Sequence, residues 1–504
     1  MKVLIFFLLF QIPDQIKVDT VSECWNYFAN FATFGGEFSS GYYGLSWPGK
    51  INVNNYYIWG SYFVVGTKIG SEYFCTASQY PPYYGEWEPS DTIYEINARA
   101  DHEMVTFWDD YKSNPRNSAG RHLGVKVKVI SLSFTDEPFN DFIAYELYIS
   151  YDSSQCDIQE KSDFLDSVYV GFIYDFDISG ADPTDPSTDD LYSFDGWTFG
   201  EWDSLGYPYD SITLLPDSFL SVPDGVWDQF LVWGDESDEF TVHGDTYEIP
   251  RNIGYMYDND GENGVCEGYA GVKLIYAPKS PSDSIWIDNY GDTVRWVCPA
   301  AFQVWKLGSE PGIDADYYAY LKGRHPATAP YRFVPPPDFG AGWDYKILVS
   351  SGPFKIYHGD TICIVFGVVI GQRMNGGYDS YWGRGWIRGL RQDADFMLKA
   401  YYSGSMSSDP IHPSCPKGDY HWIGIRESYR DREIKLRNFQ IFYTEKGIYI
   451  VSKKMTTISI FDISGRKLMA LNLYPEKKVK IGKLKRGVYF IKDINNRQIK
   501  IVVP

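Results

Sequence analysis

From Trp25 to about Gly424 the chain repeats one pattern: runs of Val, Ile, Tyr, Phe and Trp at strand length, cut by Gly, Pro, Asn and Asp. The runs "YYIWGSYFVVGTKI", "VKVKVISLSF", "DFIAYELYISY", "SVYVGFIYDFDI" and "KILVSSGPFKIYHGDTICIVFGVVIG" are of this kind. β-Branched and aromatic side chains suit a pleated, half-buried surface, and many short strands with frequent turn signals predict a mainly β fold, a large β-sandwich. In "VKVKVISLSF" Val125, Val127 and Val129 alternate with Lys126 and Lys128, so one face of that half should meet solvent. The apolar set then shifts to Ile130, Leu132 and Phe134, which predicts a bulge near Val129. A helix is predicted in "LRQDADFMLKAYYSG", where Leu390, Ala394, Met397 and Tyr401 fall on one face and Gly404 can close the end.

Charge divides the chain. Ile441–Pro504 holds 14 Lys plus Arg against 4 Asp plus Glu, a net of +10 within a total of −20, so the rest carries −30. All 16 Trp and all 7 Cys precede residue 441. This places a boundary near residues 430 to 440, with an acidic body over residues 23–430, in one unit or two packed subdomains, and a basic module over 436–504. An acidic body repels phosphate backbones, which argues against nucleic acid as its ligand.

The start, "MKVLIFFLLFQIPDQIKVDTVSECW", offers Lys2, the apolar run Val3 to Phe10, and small-residue cleavage points at Thr20 or Ser22. It reads as a signal peptide over residues 1–22, the alternative being a buried first strand. No other stretch reaches the length a membrane span needs, and "ICIVFGVVI" reads as a buried strand. Export would put Cys24, Cys75, Cys156, Cys266, Cys298, Cys363 and Cys415 in an oxidising space. An odd count cannot pair fully; one or two disulfides are expected, with Cys363 a buried thiol in its apolar strand.

In the basic module Ile458 and Ile460 alternate with Ser459 and Phe461, and "DISGR" supplies a turn in which Gly465 can take a positive φ and Asp462 can bond local backbone N–H groups. "LKRGVYFI" repeats the scheme around Gly487. Strand, "IFDISGRKL", hairpin, "IGKLKRGVYFI" and a last strand "QIKIVVP" resemble the C-terminal sorting domain, type A, of the bacterial type IX secretion system. An ordinary immunoglobulin-like terminal domain is the alternative. The resemblance spans about Asn438 to Pro504 and rests on Asp462, Gly465, Arg466, Leu484, Gly487 and Tyr489. It implies a small immunoglobulin-like sandwich, the secretion machinery as partner, and a secreted or outer-membrane surface location in a bacterium. Body segments such as "GYMYDNDG" and "GYAGVKLI" are similar to those of large uncharacterised β-rich secreted proteins that carry the same domain.

Two patterns suggest ligands. In "YDFDISGADPTDPSTDD" a strand's period puts Asp175 and Asp177 on one face and Tyr174, Phe176 and Ile178 on the other. Two such carboxylates repel unless a cation, a basic residue or a proton intervenes. Asp182, Asp185, Asp189 and Asp190 follow, hard oxygen donors that calcium prefers, against the alternative of a solvated acidic loop of Asx-turns. "MYDNDGENGVCE" is no EF-hand, since Met256 stands where an Asp is required, but Asp258 and Asp260 could join a cation site near Asp175 or make a plain turn. Exposed Tyr83, Tyr84 and Trp87 in "PPYYGEWEP" could stack on sugar rings, or the aromatics could simply fill a core.

"HEMVT" lacks the second His of a zinc helix, and neither GxSxG nor GxxxxGK[ST] occurs. The leading expectation is an exported, non-enzymatic binding or structural surface module, with calcium as cofactor and lipopolysaccharide or another glycan as partner. A secreted hydrolase acting on polysaccharide is the rival. A carboxylate pair in an aromatic-lined cleft would favour the hydrolase.

Overall fold

The computed structural model describes residues 12–36, 44–51, 55–78, 85–96, 100–111, 121–178, 190–195, 239–242, 245–248, 251–258, 268–282, 284–287, 293–337, 341–374, 376–379, 382–403, 433–435, 439–444, 447–452, 455–462, 467–475, 477, 479–481, 487–492 and 498–503. The chain divides into Met1–Gly424 and Ile425–Pro504.

The first unit is mainly β, built on two antiparallel sheets. The larger has nine strands; its central members are Gly268–Tyr276, Thr361–Gln372, Phe142–Tyr151, Val125–Ser133 and His102–Asp109, in that order. The smaller runs Ala301–Lys306, Tyr345–Tyr357, Phe164–Asp175, Gly60–Ile69, Glu72–Ala77. The faces that pack together carry alternate apolar residues: Val125, Val127, Val129 and Phe366 from the larger sheet, Phe63, Val65, Phe172 and Val349 from the smaller. Phe172 and Phe366 stack at 3.8 Å between ring centroids. Such pairs add about 1 kcal/mol beyond burial.

The bulge expected at Val129 is absent: Val125 to Leu132 pairs without a register shift against Tyr151 to Ala144. Instead the strand's second half is buried on both faces, Ile130 and Leu132 being buried like Val127 and Val129. On this sheet the helix Leu390–Ser403 packs on Thr361–Gln372, Phe142–Tyr151 and Gly268–Tyr276. Its expected inner face, Leu390, Ala394, Met397 and Tyr401, is buried. The Tyr401 hydroxyl donates to Glu146 Oε1 at 2.7 Å.

The cysteine expectation needs correction. Cys363 is buried but disulfide-bonded, whereas Cys24, Cys75, Cys156 and Cys298 are not in disulfides. Apolar flanks report burial, not oxidation state. At the other end of the chain, Ile16–Asp19 forms a strand paired with Asn26–Ala29. Asp19 Oδ2 accepts from Ser133 Oγ at 2.6 Å and lies 3.2 Å from His102 Nδ1. Cleavage at Thr20 or Ser22 would remove this strand and both interactions.

The second unit holds two four-stranded antiparallel sheets. One runs Glu433–Lys435, Phe439–Thr444, Gly447–Ser452, Val479–Lys480, the other Lys467–Leu473, Thr456–Asp462, Gly487–Lys492, Gln498–Val503. Ile458 and Ile460 are fully buried while Ser459 between them is half-buried, as alternation requires.

Candidate functional site

Beside the helix Asp314–Leu321, on the outer face of the five-stranded sheet, lies a cavity of about 650 Å³. Leu321 can sit this close to the sheet because Gly66 and Gly171 lie beneath it; a Cβ at Gly171 would come within 2.4 Å of Leu321 Cδ2. Tyr317 on the same helix lines the cavity with Trp59, Tyr62 and Trp305. The floor follows from strand register. Trp305 pairs with Lys346, Lys346 with Asp175, and Asp175 with Gly60, so one row crosses four strands. Asp177, Glu310 and Asp344 complete the polar lining.

Lys346 is the hub of the charges. Its Nζ lies 3.2 Å from Asp175 Oδ2 and 2.8 Å from Glu310 Oε1. Asp175 is 2% exposed, and its Oδ1 has no hydrogen-bond partner. Asp344 Oδ1 is likewise buried without one. Burial penalises the ionised form of Asp175 more than Lys346 favours it, and its pKa rises from 3.8 to about 7, with Asp344 and Glu310 adding repulsion. Burial also raises Asp344. Glu310 goes the other way: burial would raise it, but the hydrogen bond and charge of Lys346 outweigh that and hold it below the usual carboxylate range. Lys346 itself is raised, since its two carboxylates outweigh its own burial.

The residues singled out from the sequence are dispersed. Asp175 and Asp177 both line the cavity, while Tyr174, Phe176 and Ile178 point into the core between the sheets, as the period of a strand requires. A basic residue, Lys346, is what meets Asp175. Asp190 and Asp258 stand directly opposite each other on paired strands, both buried, and Asp190 Oδ2 accepts from the Ile178 backbone N–H at 3.4 Å. Asp182, Asp185, Asp189 and Asp260 lie outside the described residues, as do Tyr83 and Tyr84. Among the described residues no three acidic, His or Cys side chains form a group that could hold a metal ion. Trp87 is corrected: it is 3% exposed, packs at 5.3 Å from the Phe63 ring, and donates from Nε1 to the Phe63 carbonyl. The turn-rich composition around it suggested exposure, but the indole fills the core. In the second unit Asp462 pairs with Tyr489 across adjacent strands and Gly487 opens its strand; Gly465, Arg466 and Leu484 lie outside the described residues.

The sequence reading missed Lys346, Glu310, Asp344, Trp59, Tyr62, Trp305 and Tyr317. Lys346 within "DYKILV" carried one faint signal, a cation at the start of an otherwise apolar strand. Its ion-pair partners Glu310 and Asp175 are 36 and 171 positions away in the chain, and sheet register joins it to Asp175 and Trp305.

No curated protein matches the chain. A polysaccharide lyase of solved structure is similar over 97% of this chain and 46% of its own, at 9% identity and a TM-score of 0.21, so the chain spans less than half the lyase's length. No helix among the described residues is long and apolar enough to cross a membrane. Residues 443–503 match the secretion system C-terminal sorting domain, the type IX signal, and the protein is therefore exported, to a secreted or cell-surface location, through the machinery that reads that signal.

Proposed function

We propose that the body of this exported protein binds glycans in the cavity on the five-stranded sheet. The observation that supports this is the lining itself: the aromatic side chains of Trp59, half-buried, and of the more deeply buried Tyr62, Trp305 and Tyr317, beside carboxyl groups with unfilled acceptor atoms. Sugar rings offer apolar C–H faces for the aromatics and hydroxyl donors for the carboxylates, and about 650 Å³ lies in the range of small-molecule sites. The test is calorimetric titration of the full chain with neutral and charged oligosaccharides. Trp59→Ala, at a half-buried position, should weaken binding by about tenfold without altering the fold, in line with 1–2 kcal/mol for an aromatic contact. Silence toward every oligosaccharide would end the proposal.

A second reading, hydrolysis of a polysaccharide, has its own support. Asp175 is held near neutrality while Glu310, on the same lysine, is held ionised, and two carboxyls pushed apart in this way suit a proton donor and its charged partner. Release of reducing ends by the wild type, lost in Asp175→Asn and in Glu310→Gln, is the expected result for an enzyme. Binding without release would leave the body a binding module. Calcium is kept as a proposal on separate ground: the buried Asp190 and Asp258 stand opposite each other on paired strands and bring together hard oxygen donors of the kind calcium takes. Chelation should then lower the melting temperature by several degrees, as loss of a native-state ligand must.

A further inference from the structure

The charge of the cavity narrows the ligand. Four carboxyl groups, Asp175, Asp177, Glu310 and Asp344, line it with one lysine among the described residues. That lysine is already engaged by Asp175 and Glu310. Two further oxygens, Asp175 Oδ1 and Asp344 Oδ1, are buried acceptors without a donor. A hydroxyl can give each one hydrogen bond. An ammonium can serve both and also offset the surplus negative charge, as Lys346 does on the other side of Asp175, and a charge-assisted bond is about twice as strong as a neutral one. A uronate carboxylate, by contrast, would be brought against a lining of carboxyl groups of which Glu310 is held ionised, and would itself find the one lysine already taken.

Building on the glycan reading above, we infer that the cavity selects sugars bearing a protonated amine over N-acetylated sugars, and both over uronates. Asp175 is the positioning group for this choice, with Asp344 beside it. The groups that face Asp175 are Lys346 and Asp344 from one strand and its approach, Glu310 from the loop before the helix, and Asp177 two residues on. Burial keeps Asp175 protonated up to about pH 7, so capture of an ammonium expels its proton.

Tetramers of glucosamine, N-acetylglucosamine and galacturonate, titrated into the full chain, test this. The glucosamine tetramer should bind about tenfold tighter than its N-acetylated counterpart, the worth of one charge-assisted hydrogen bond, and the galacturonate tetramer should bind weakest. At about pH 6 the glucosamine tetramer should release a proton, seen as a binding heat that changes with the ionisation enthalpy of the buffer. Asp175→Asn should erase both the preference for the glucosamine tetramer and the proton release. Equal affinities, a tighter galacturonate tetramer, or no proton release in the wild type would overturn the inference and leave glycan binding standing. No binding by any of the three would overturn the glycan reading itself.

Discussion

Two clusters of buried charge in the same unit are built to opposite ends. One joins the helix Leu390–Ser403 to the edge of the larger sheet: Arg251 grips Asp395 through Nε and Nη2 at 2.7 to 3.3 Å, and Arg391 grips Asp195 through Nε and Nη2 at 3.1 and 2.7 Å. Lys273 donates to the Arg251 carbonyl and, buried, has its pKa lowered to about 8. Burial would raise Asp195, but Arg391 and Arg251 outweigh it, and its carboxyl is held below the ordinary value. Here forked guanidinium pairs saturate the carboxylates and fix the helix. In the cavity one ammonium is shared between Asp175 and Glu310, and acceptor atoms remain unused. Saturation makes a joint; an incomplete set of donors makes a place for a ligand.

The comparison can be broken most forcefully at the joint. Asp395→Ala strips the carboxylate from an arginine that is 0% exposed and should cost about 3–5 kcal/mol in denaturant unfolding. A loss below about 1 kcal/mol would mean that the joint is not structural. Next, Gly171→Val should push Leu321 and its helix off the sheet at about 2 kcal/mol, and the cavity should lose its ligand with it. Unaltered binding would show that the helix does not shape the site.

At Asp175 the sign reverses. Its folded pKa of about 7 exceeds the ordinary 3.8, so its contribution is fully present below about pH 4 and is lost as pH rises through 7. Asp175→Asn should therefore stabilise the protein by about 1–2 kcal/mol at about pH 8 and by nothing near pH 4, as read from melting curves at both values. Destabilisation at pH 8 would show Asp175 to be a joint like Asp395.

The smallest effect belongs to His102, which holds the N-terminal strand. The hydrogen bond and charge of Asp19, with Glu95 nearby, raise its pKa against burial and Lys17. This pair stabilises below about pH 6.5 and fades as pH rises through the raised value. His102→Ala should cost about 0.5–1 kcal/mol at about pH 5.5 and less at pH 8.

Much of this was legible before any coordinates. Tyr174, Phe176 and Ile178 against Asp175 and Asp177 sort by strand period alone, and Leu390, Ala394, Met397 and Tyr401 mark a helix face by theirs. Ile130 and Leu132 misled because an apolar residue on a second strand face reports cover of some kind, and what supplies that cover is a question of distant chain. Trp87 misled because turn-forming neighbours describe the backbone, not the destination of a side chain.

The amino-acid order by itself determined a β-rich acidic body, one amphipathic helix and a basic export module, because periodicity, charge and local turn chemistry act over a few residues. Only the tertiary structure decided which carboxylate became a sealed joint and which became a lining group. Register between strands far apart in the chain set Lys346 beside Asp175 and Trp305, and burial in that setting, rather than any local motif, governs how the carboxyl holds its proton.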